Sequence, residues 1–190
     1  MLAQIGQLLI DTVFGLLVYV LLIRFYMQLL RAPFRNPVGQ FVLAISNWMV
    51  LPARRVIPGL KGLDLSTLVL AWLLEILAWL LGFWLRGFSF GSAPGIAFGV
   101  LAALAVLELV RLSLYLLIGV VIVQVILSWV SPYTPMAPIF DALTRPFYRP
   151  FRRLVPPIAN IDLSPLFVVL VAQILLIPLA ALSRAVASPF

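Results

Sequence analysis

Long apolar runs alternate with short polar connections along this chain. A helix needs about 20 predominantly apolar residues to cross the hydrocarbon core of a bilayer. Four stretches meet that need: 8–30, interrupted by Asp11 and Arg24; 65–85, with Glu75 as its one charge; and 112–130 and 163–182, with none. A further apolar run, 96–107, stands at the margin of spanning length. Glu108, Leu109, Val110 and Arg111 join it to 112–130 without a turn residue. It reads either as the outer part of a long, tilted third helix or as an interfacial segment.

Charge placement tests the count of spans. The connection between the first two holds Arg31, Arg35, Arg54, Arg55 and Lys61, and the connection between the last two holds Arg145, Arg149, Arg152 and Arg153. Basic connections stay cytoplasmic. Four spans put both on one side, with both termini outside; a fifth span at 96–107 would split them. No Lys or Arg precedes the first apolar run and no small-residue cleavage site follows it, so the sequence predicts a retained helix and not a signal peptide.

The chain also repeats itself. Pro52-Ala53-Arg54-Arg55-Val56-Ile57-Pro58 returns as Pro150-Phe151-Arg152-Arg153-Leu154-Val155-Pro156, and Leu63-Asp64-Leu65-Ser66 returns as Ile161-Asp162-Leu163-Ser164, both at an offset of 98. Across 52–68 and 150–166, eight of seventeen positions are identical without a gap. Pro37 maps to Pro135 and Glu75 to Gln173. Two helical hairpins of the same orientation, related by a pseudo-two-fold along the membrane normal, are the expected result.

Ahead of each Pro-x-Arg-Arg-x-x-Pro string lies an amphipathic segment, 38–51 and 136–148. In the first, Val38, Phe41, Val42, Ile45, Trp48 and Met49 share a helical face, with Gln40, Ser46 and Asn47 elsewhere. In the second, Met136, Ile139, Phe140, Leu143 and Phe147 oppose Asp141, Thr144 and Arg145. Such helices lie in the headgroup plane, with the basic residues after them at phosphate depth. A proline at each end predicts that each Arg pair sits in a rigid turn.

Composition narrows the chemistry. Of 190 residues 64% are hydrophobic and 10% charged, with a mean hydropathy of +1.19, against about 45–50% apolar in ordinary soluble domains. With no Cys and no His, disulfides, zinc sites, histidine-ligated haem, Cys nucleophiles and His bases are excluded. The six carboxylates, twelve Arg and one Lys carry whatever chemistry exists. No cofactor and no metal site is expected. Arg in place of Lys suits bidentate pairing with phosphate or carboxylate.

The doubled pattern resembles the YggT/YlmG family of small integral membrane proteins. The residues that carry the resemblance are Asn36-Pro37, Pro52 to Pro58 and Asp64 to Leu68, their second copies, and the Leu127-Ser128-Trp129-Val130 string that closes the third span. It covers nearly the whole chain. The first copy departs where Leu30-Arg31 replaces Ser-Trp, and Arg24 faces Ile122 in the second copy. The resemblance implies a membrane-embedded assembly or organising factor. Bacterial members are linked to osmotic-shock tolerance and to cell division, and plastid relatives to nucleoid distribution and haem attachment during cytochrome b6 maturation. It carries over no catalytic residue.

Individual residues then divide between plain and specific roles. Arg54, Arg55, Arg145, Arg149, Arg152 and Arg153 set topology and meet anionic headgroups, or form a docking site for a partner. Nine basic residues at a membrane surface make a poor nucleic-acid site. Asp64 and Asp162 belong at helix starts, with Ser66 and Ser164 as N-caps, or pair with the neighbouring arginines. A shared-proton carboxylate pair, as in aspartic hydrolases, has no support in their flanks. Glu75 lies about 16 Å into its span, on the face of Trp72 and Trp79. It either bonds Gln173 across the repeats or takes part in a proton or cation path with Asp11, Glu108 and Arg111.

The expectation is therefore an all-α integral membrane protein with four transmembrane helices in two parallel-oriented hairpin repeats, 1–90 and 91–190. It sits in the bacterial cytoplasmic (inner) membrane, with its Arg-rich turns cytoplasmic. The function expected is a non-catalytic scaffold or assembly factor with a membrane-protein partner or a second copy of itself. The alternative is a small oligomeric channel or transporter for ions or osmolytes. No nucleic acid and no small-molecule substrate is expected.

Overall fold

The computed structural model describes residues 1–57, 59, 64–87, 94–131, 134–154 and 162–187. They form six helices: α1 (Leu2–Leu29), α2 (Pro37–Val56), α3 (Leu65–Leu85), α4 (Pro94–Val130), α5 (Ala137–Leu154) and α6 (Ser164–Ala187). Among the described residues there is no strand. α1, α3, α4 and α6 are long and apolar enough to cross a membrane, and the protein is a multi-pass membrane protein. Adding 98 to the bounds of α2 and α3 reproduces those of α5 and α6 to within four residues.

The marginal run 96–107 belongs to the third spanning helix and is not a separate interfacial segment. α4 is continuous over 37 residues, about 55 Å at 1.5 Å per residue, against a hydrocarbon core of about 30 Å. Its interior holds no proline, and its glycines Gly99 and Gly119 meet nothing that a Cβ would strike. Nothing local breaks the hydrogen-bond ladder at Glu108 and Arg111, which instead pair with each other at 3.4 Å one turn apart.

Each half packs a spanning pair: α1 on α3, and α4 on α6. α1 and α3 run antiparallel and close, since a Cβ on Gly6 would lie 3.0 Å from Leu85 Cδ1 and one on Gly82 would lie 3.1 Å from Gln7 Oε1. The halves join through α3 on α4, with α1 also touching α4 and α5. One core, Val18, Leu21, Leu22, Val50, Ala71 and Leu109, ties α1 to α4 together. A second joins Met27 and Ala32 to Ile139 and Leu143 of α5. Much of α6 stays exposed, including Leu166, Leu170, Ile174 and Ile177, as a lipid-facing helix should.

The two amphipathic helices run longer than the expected segments 38–51 and 136–148. α2 reaches Val56 and α5 reaches Leu154, so Arg54, Arg55, Arg152 and Arg153 occupy the last turn of a helix and not a separate turn. Pro52 and Pro150 lie inside these helices. A proline there removes one donor, and the amphipathic packing outweighs that loss. The closing prolines Pro58 and Pro156, with Lys61, Leu63, Val155 and Ile161, lie outside the described residues. α2 buries Gly39, Val42, Ser46 and Val50, a stripe at spacings of three and four. Phe41 and Trp48, on the apolar face expected to lie in the headgroup plane, are exposed. Small residues let α2 lie close to α1, and the aromatic rings face outward, where lipid and interface solvate them.

Candidate functional site

The repeated polar residues converge where each amphipathic helix ends beside the following spanning helix. Local chemistry places them there. Asn36 caps α2, accepting from the Gly39 amide at 2.7 Å, and Pro37 occupies the first helical position. The apolar stripe then fixes the rotation of α2, and Arg54 emerges towards the start of α3. Its position in the last turn also sets a cation against unpaired helix carbonyls.

Arg54 Nη2 meets Asp64 Oδ2 at 2.5 Å and Nε meets the same oxygen at 3.2 Å. Thr67 Oγ1 donates to Oδ2 at 2.6 Å, and Ser66 Oγ donates to Oδ1. Gln28 of α1 closes the ring. With its amide nitrogen turned to Asp64 (3.0 Å) and its oxygen to Arg54 (2.8 Å), both partners are satisfied. Asp64, Ser66 and Thr67 are buried, whereas Arg54 remains partly exposed. Burial alone would raise the Asp64 carboxyl. The bonds from Arg54, Ser66 and Thr67 outweigh it and hold the group well below the usual carboxylate range.

The second copy repeats the clamp with fewer partners. Arg152 Nη2 and Nε each lie 2.8 Å from Asp162 Oδ2, and Ser164 N donates to Oδ1 at 2.9 Å. Burial again opposes ionisation, and the bonds from Ser164 and Arg152 prevail, so the carboxyl is lowered. Arg152 also lies over the Tyr148 ring, 5.4 Å from its centroid. Burial pushes the Tyr148 phenol up to about 12, which keeps that ring neutral.

The aspartates thus pair with arginines, one of the two roles expected for them, and Asp64 also stands at the N-cap of α3. Ser66 is not an N-cap; it lies in the first turn and donates to Asp64. Ser164 opens α6 as its first residue, one position later than a cap, with Pro165 second. Both serines move inward because the aspartate two residues earlier already organises the helix start. The other four arginines, Arg55, Arg145, Arg149 and Arg153, are exposed and make no ion pair among the described residues.

Sequence reasoning missed a buried arginine. Arg24 is 2% exposed and donates through Nη1 to Ser46 Oγ at 2.6 Å and Asn47 Oδ1 at 2.9 Å. Ser46 in turn donates to the Val42 carbonyl. The equivalent hydroxyl of the second repeat, Thr144, is likewise buried and donates to the Phe140 carbonyl, but its interhelical partner is Gln124. The signal was the shared hydroxyl at 46 and 144, both placed off the apolar face by the hydrophobic pattern.

Glu75 and Gln173 do not meet. Glu75 is buried in α3, facing α1 and α4, while Gln173 is exposed on α6. α3 and α6 share no contact among the described residues, because α4 lies against both. The expected bond between them is therefore replaced by a different environment for Glu75. Among the described residues, no group of three or more carboxylates is placed to hold a metal ion.

Comparison with known proteins agrees with this architecture. A family model described as CCB3/YggT matches residues 3–85 and 103–183, one segment for each repeat. An uncharacterised protein of Pseudomonas aeruginosa is 35% identical over 168 residues, 87% of this chain and 83% of its own length. An uncharacterised protein of Vibrio alginolyticus is 34% identical over 83% of this chain and 84% of its own length. The uncharacterised protein YggT of Escherichia coli is 34% identical over 88% of this chain and 85% of its own length. No solved structure matches the chain. Two matched segments spanning most of the chain, with relatives of this identity and coverage, show that the chain belongs to the CCB3/YggT family.

Proposed function

We propose that the protein is a non-catalytic, membrane-embedded scaffold or assembly factor, serving division, envelope organisation or osmotic tolerance. Its working surface is the pair of amphipathic helices α2 and α5. The observation that carries this reading is the duplicated clamp. In each repeat the first arginine of the pair is anchored to an aspartate, Arg54 to Asp64 and Arg152 to Asp162. The second, Arg55 or Arg153, is left exposed. An anchored helix end presenting a free guanidinium is a preorganised contact for a carboxylate or phosphate. Arg145 and Arg149 extend the same basic surface along α5.

The basic connections support a cytoplasmic position for this surface, in the bacterial inner membrane with both termini outside. The two repeats, 1–90 and 91–190, then lie parallel. The clustering of Leu22 with Leu109 and of Met27 with Val120 supports that arrangement, since both helices advance together. The partners are anionic lipid headgroups together with a membrane protein or a second copy of this chain. No nucleic acid and no small-molecule substrate enters this reading.

The test keeps the clamps and reverses the free charges. Arg55→Glu, Arg145→Glu, Arg149→Glu and Arg153→Glu are combined, with Arg54 and Arg152 intact and topology checked by cysteine accessibility. Gentle extraction, crosslinking and mass spectrometry of wild type and variant follow. A stoichiometric partner present in wild type and lost in the variant supports the scaffold. No partner in either sample, with solute flux in liposomes, sinks it in favour of the channel.

A further inference from the structure

A cavity of about 340 Å³ lies between α1, α3 and α4. Its wall along α3 is a single stripe, Glu75, Ala78, Trp79, Gly82 and Phe83 with the C-cap Arg86, at helical spacings of three and one. From Glu75 to Arg86 is eleven residues, or about 16 Å. The groove therefore runs from the middle of α3 to its end. Gln7, Asp11 and Tyr19 line it from α1, and Glu108 from α4. Asp11 and Arg86 are exposed at the rim, whereas Glu75 at its inner end is 7% exposed.

Two polar groups in this cavity lack partners. Glu75 makes no hydrogen bond and no ion pair among the described residues. Gln7 donates to Asp11 Oδ1 at 2.8 Å, but its own Oε1 is buried and accepts no bond. The charged and titratable groups around Glu75 leave it uncompensated. From α1 come Asp11, engaged with Gln7, and Tyr19. From α4 comes Glu108, already paired with Arg111, beside Tyr115. α3 contributes Arg86 at the far end, and α2 keeps its charges at the opposite end, where Arg54 meets Asp64. A bare carboxylate at this depth is costly and has to be neutralised.

We propose that Glu75 is a reversible proton-binding site, filled and emptied from the aqueous side through the groove that ends between Asp11 and Arg86. Filling forms one O–H bond on a Glu75 carboxylate oxygen and breaks one in hydronium, leaving water. One carboxyl suffices for a proton, whereas a metal ion needs several ligands at fixed distances. The acidic side chains at 11 and 108 raise the local proton concentration along the route. This site stands apart from the arginine clamps and from the scaffold reading.

The experiment uses the full chain in lipid nanodiscs. Infrared difference spectra follow the carbonyl stretch of a protonated carboxyl as pH is varied, for wild type and Glu75→Gln. In parallel, dicyclohexylcarbodiimide, which attacks protonated carboxyls in apolar surroundings, is applied to wild type and the modified residue is mapped. A titrating carboxyl band lost in Glu75→Gln, with acid-accelerated labelling at Glu75, is the result expected. An unchanged band in Glu75→Gln, or labelling at Glu75 that ignores pH, overturns the proposal. Protection of Glu75 by sodium or potassium at constant pH overturns it in favour of an alkali-cation site. If Glu75→Gln fails to fold, the wild-type labelling decides alone.

Discussion

Arg24 and Ser46 meet at 2.6 Å inside the first repeat, whereas in the second Ile122 stands at the matching place and Thr144 bonds the neutral Gln124. Among the described residues, no carboxylate in direct contact neutralises the guanidinium. It rests on Ser46 and Asn47, and its Nε–H donates to no partner among the described residues. An incompletely satisfied buried cation is an expensive device, and the asymmetry between removing it and orphaning it is measurable.

Replacing Arg24 by methionine removes the buried charge while filling its volume, and Ser46 keeps its bond to the Val42 carbonyl. Stability should then fall by no more than about 1 kcal/mol, or rise. Ser46→Ala with Asn47→Ala leaves the cation buried and unbonded, and should cost about 3–5 kcal/mol. Unfolding in detergent or by steric trapping ranks the two. Equal losses would show that the charge itself holds α2 to α1.

Asp64 gives a pH signature. Its carboxyl is depressed in the folded protein, so the stabilisation is complete above its unfolded value and is lost as pH falls through the folded one. Melting temperature should therefore be flat from neutral pH down to about 5 and drop only below about 3.9. Asp162 is lowered in the same direction and adds to that drop. Asp64→Ala strands Arg54, Ser66 and Thr67, should cost about 2–3 kcal/mol at neutral pH, and should flatten the acid limb. An undiminished acid limb in this variant would place the transition elsewhere.

Hydropathy made the four spans legible, because apolar length is a property of the local sequence. The repeat made the clamps legible too, since Arg54, Asp64, Arg152 and Asp162 recur at one offset. What escaped depended on tertiary neighbours. Ser46 and Thr144 looked like outward residues because polarity normally faces water. In a lipid-facing helix the small polar face packs inward and Trp48 turns out. Glu75 and Gln173 are equivalent by repeat, yet equivalence of position is not proximity, and α4 stands against both of their helices. The Arg pairs looked like turns because proline usually breaks a helix. Here Pro52 and Pro150 are carried by the packing of the rest of α2 and α5.

Trp72 is a polar stitch between the halves. Its indole Nε1 donates to the Ala102 carbonyl of α4 at 3.0 Å. Trp72→Phe keeps an aromatic ring and loses the bond, so it should destabilise by about 1 kcal/mol. The loss should appear as faster hydrogen exchange in the first part of α4, with α1 and α2 unaffected. Uniform loosening of all helices would show that the contact is not local to the α3–α4 junction.

Gly39 is where the corner between α1 and α2 admits no side chain. A Cβ there would lie 2.5 Å from the Phe34 carbonyl oxygen and 2.7 Å from its Cα. Both are backbone atoms, which have no rotamer through which to yield. The same residue donates its amide to Asn36 Oδ1, so shifting it also loosens the N-cap of α2. Gly39→Ala should therefore cost about 1–3 kcal/mol by overpacking, despite the higher helix propensity of alanine. Gly15→Ala is the control, since a Cβ at that site meets nothing within 4 Å, and it should leave stability unchanged or slightly raised. Thermal unfolding of the two variants side by side, with crosslinking between engineered cysteines on α1 and α2, reads both the energy and the displacement. A Gly39→Ala protein as stable as the control would mean that the 34–39 corner opens freely, and that α2 is held to the spanning helices by contacts further along it, at Val42, Ser46, Val50 and Arg54.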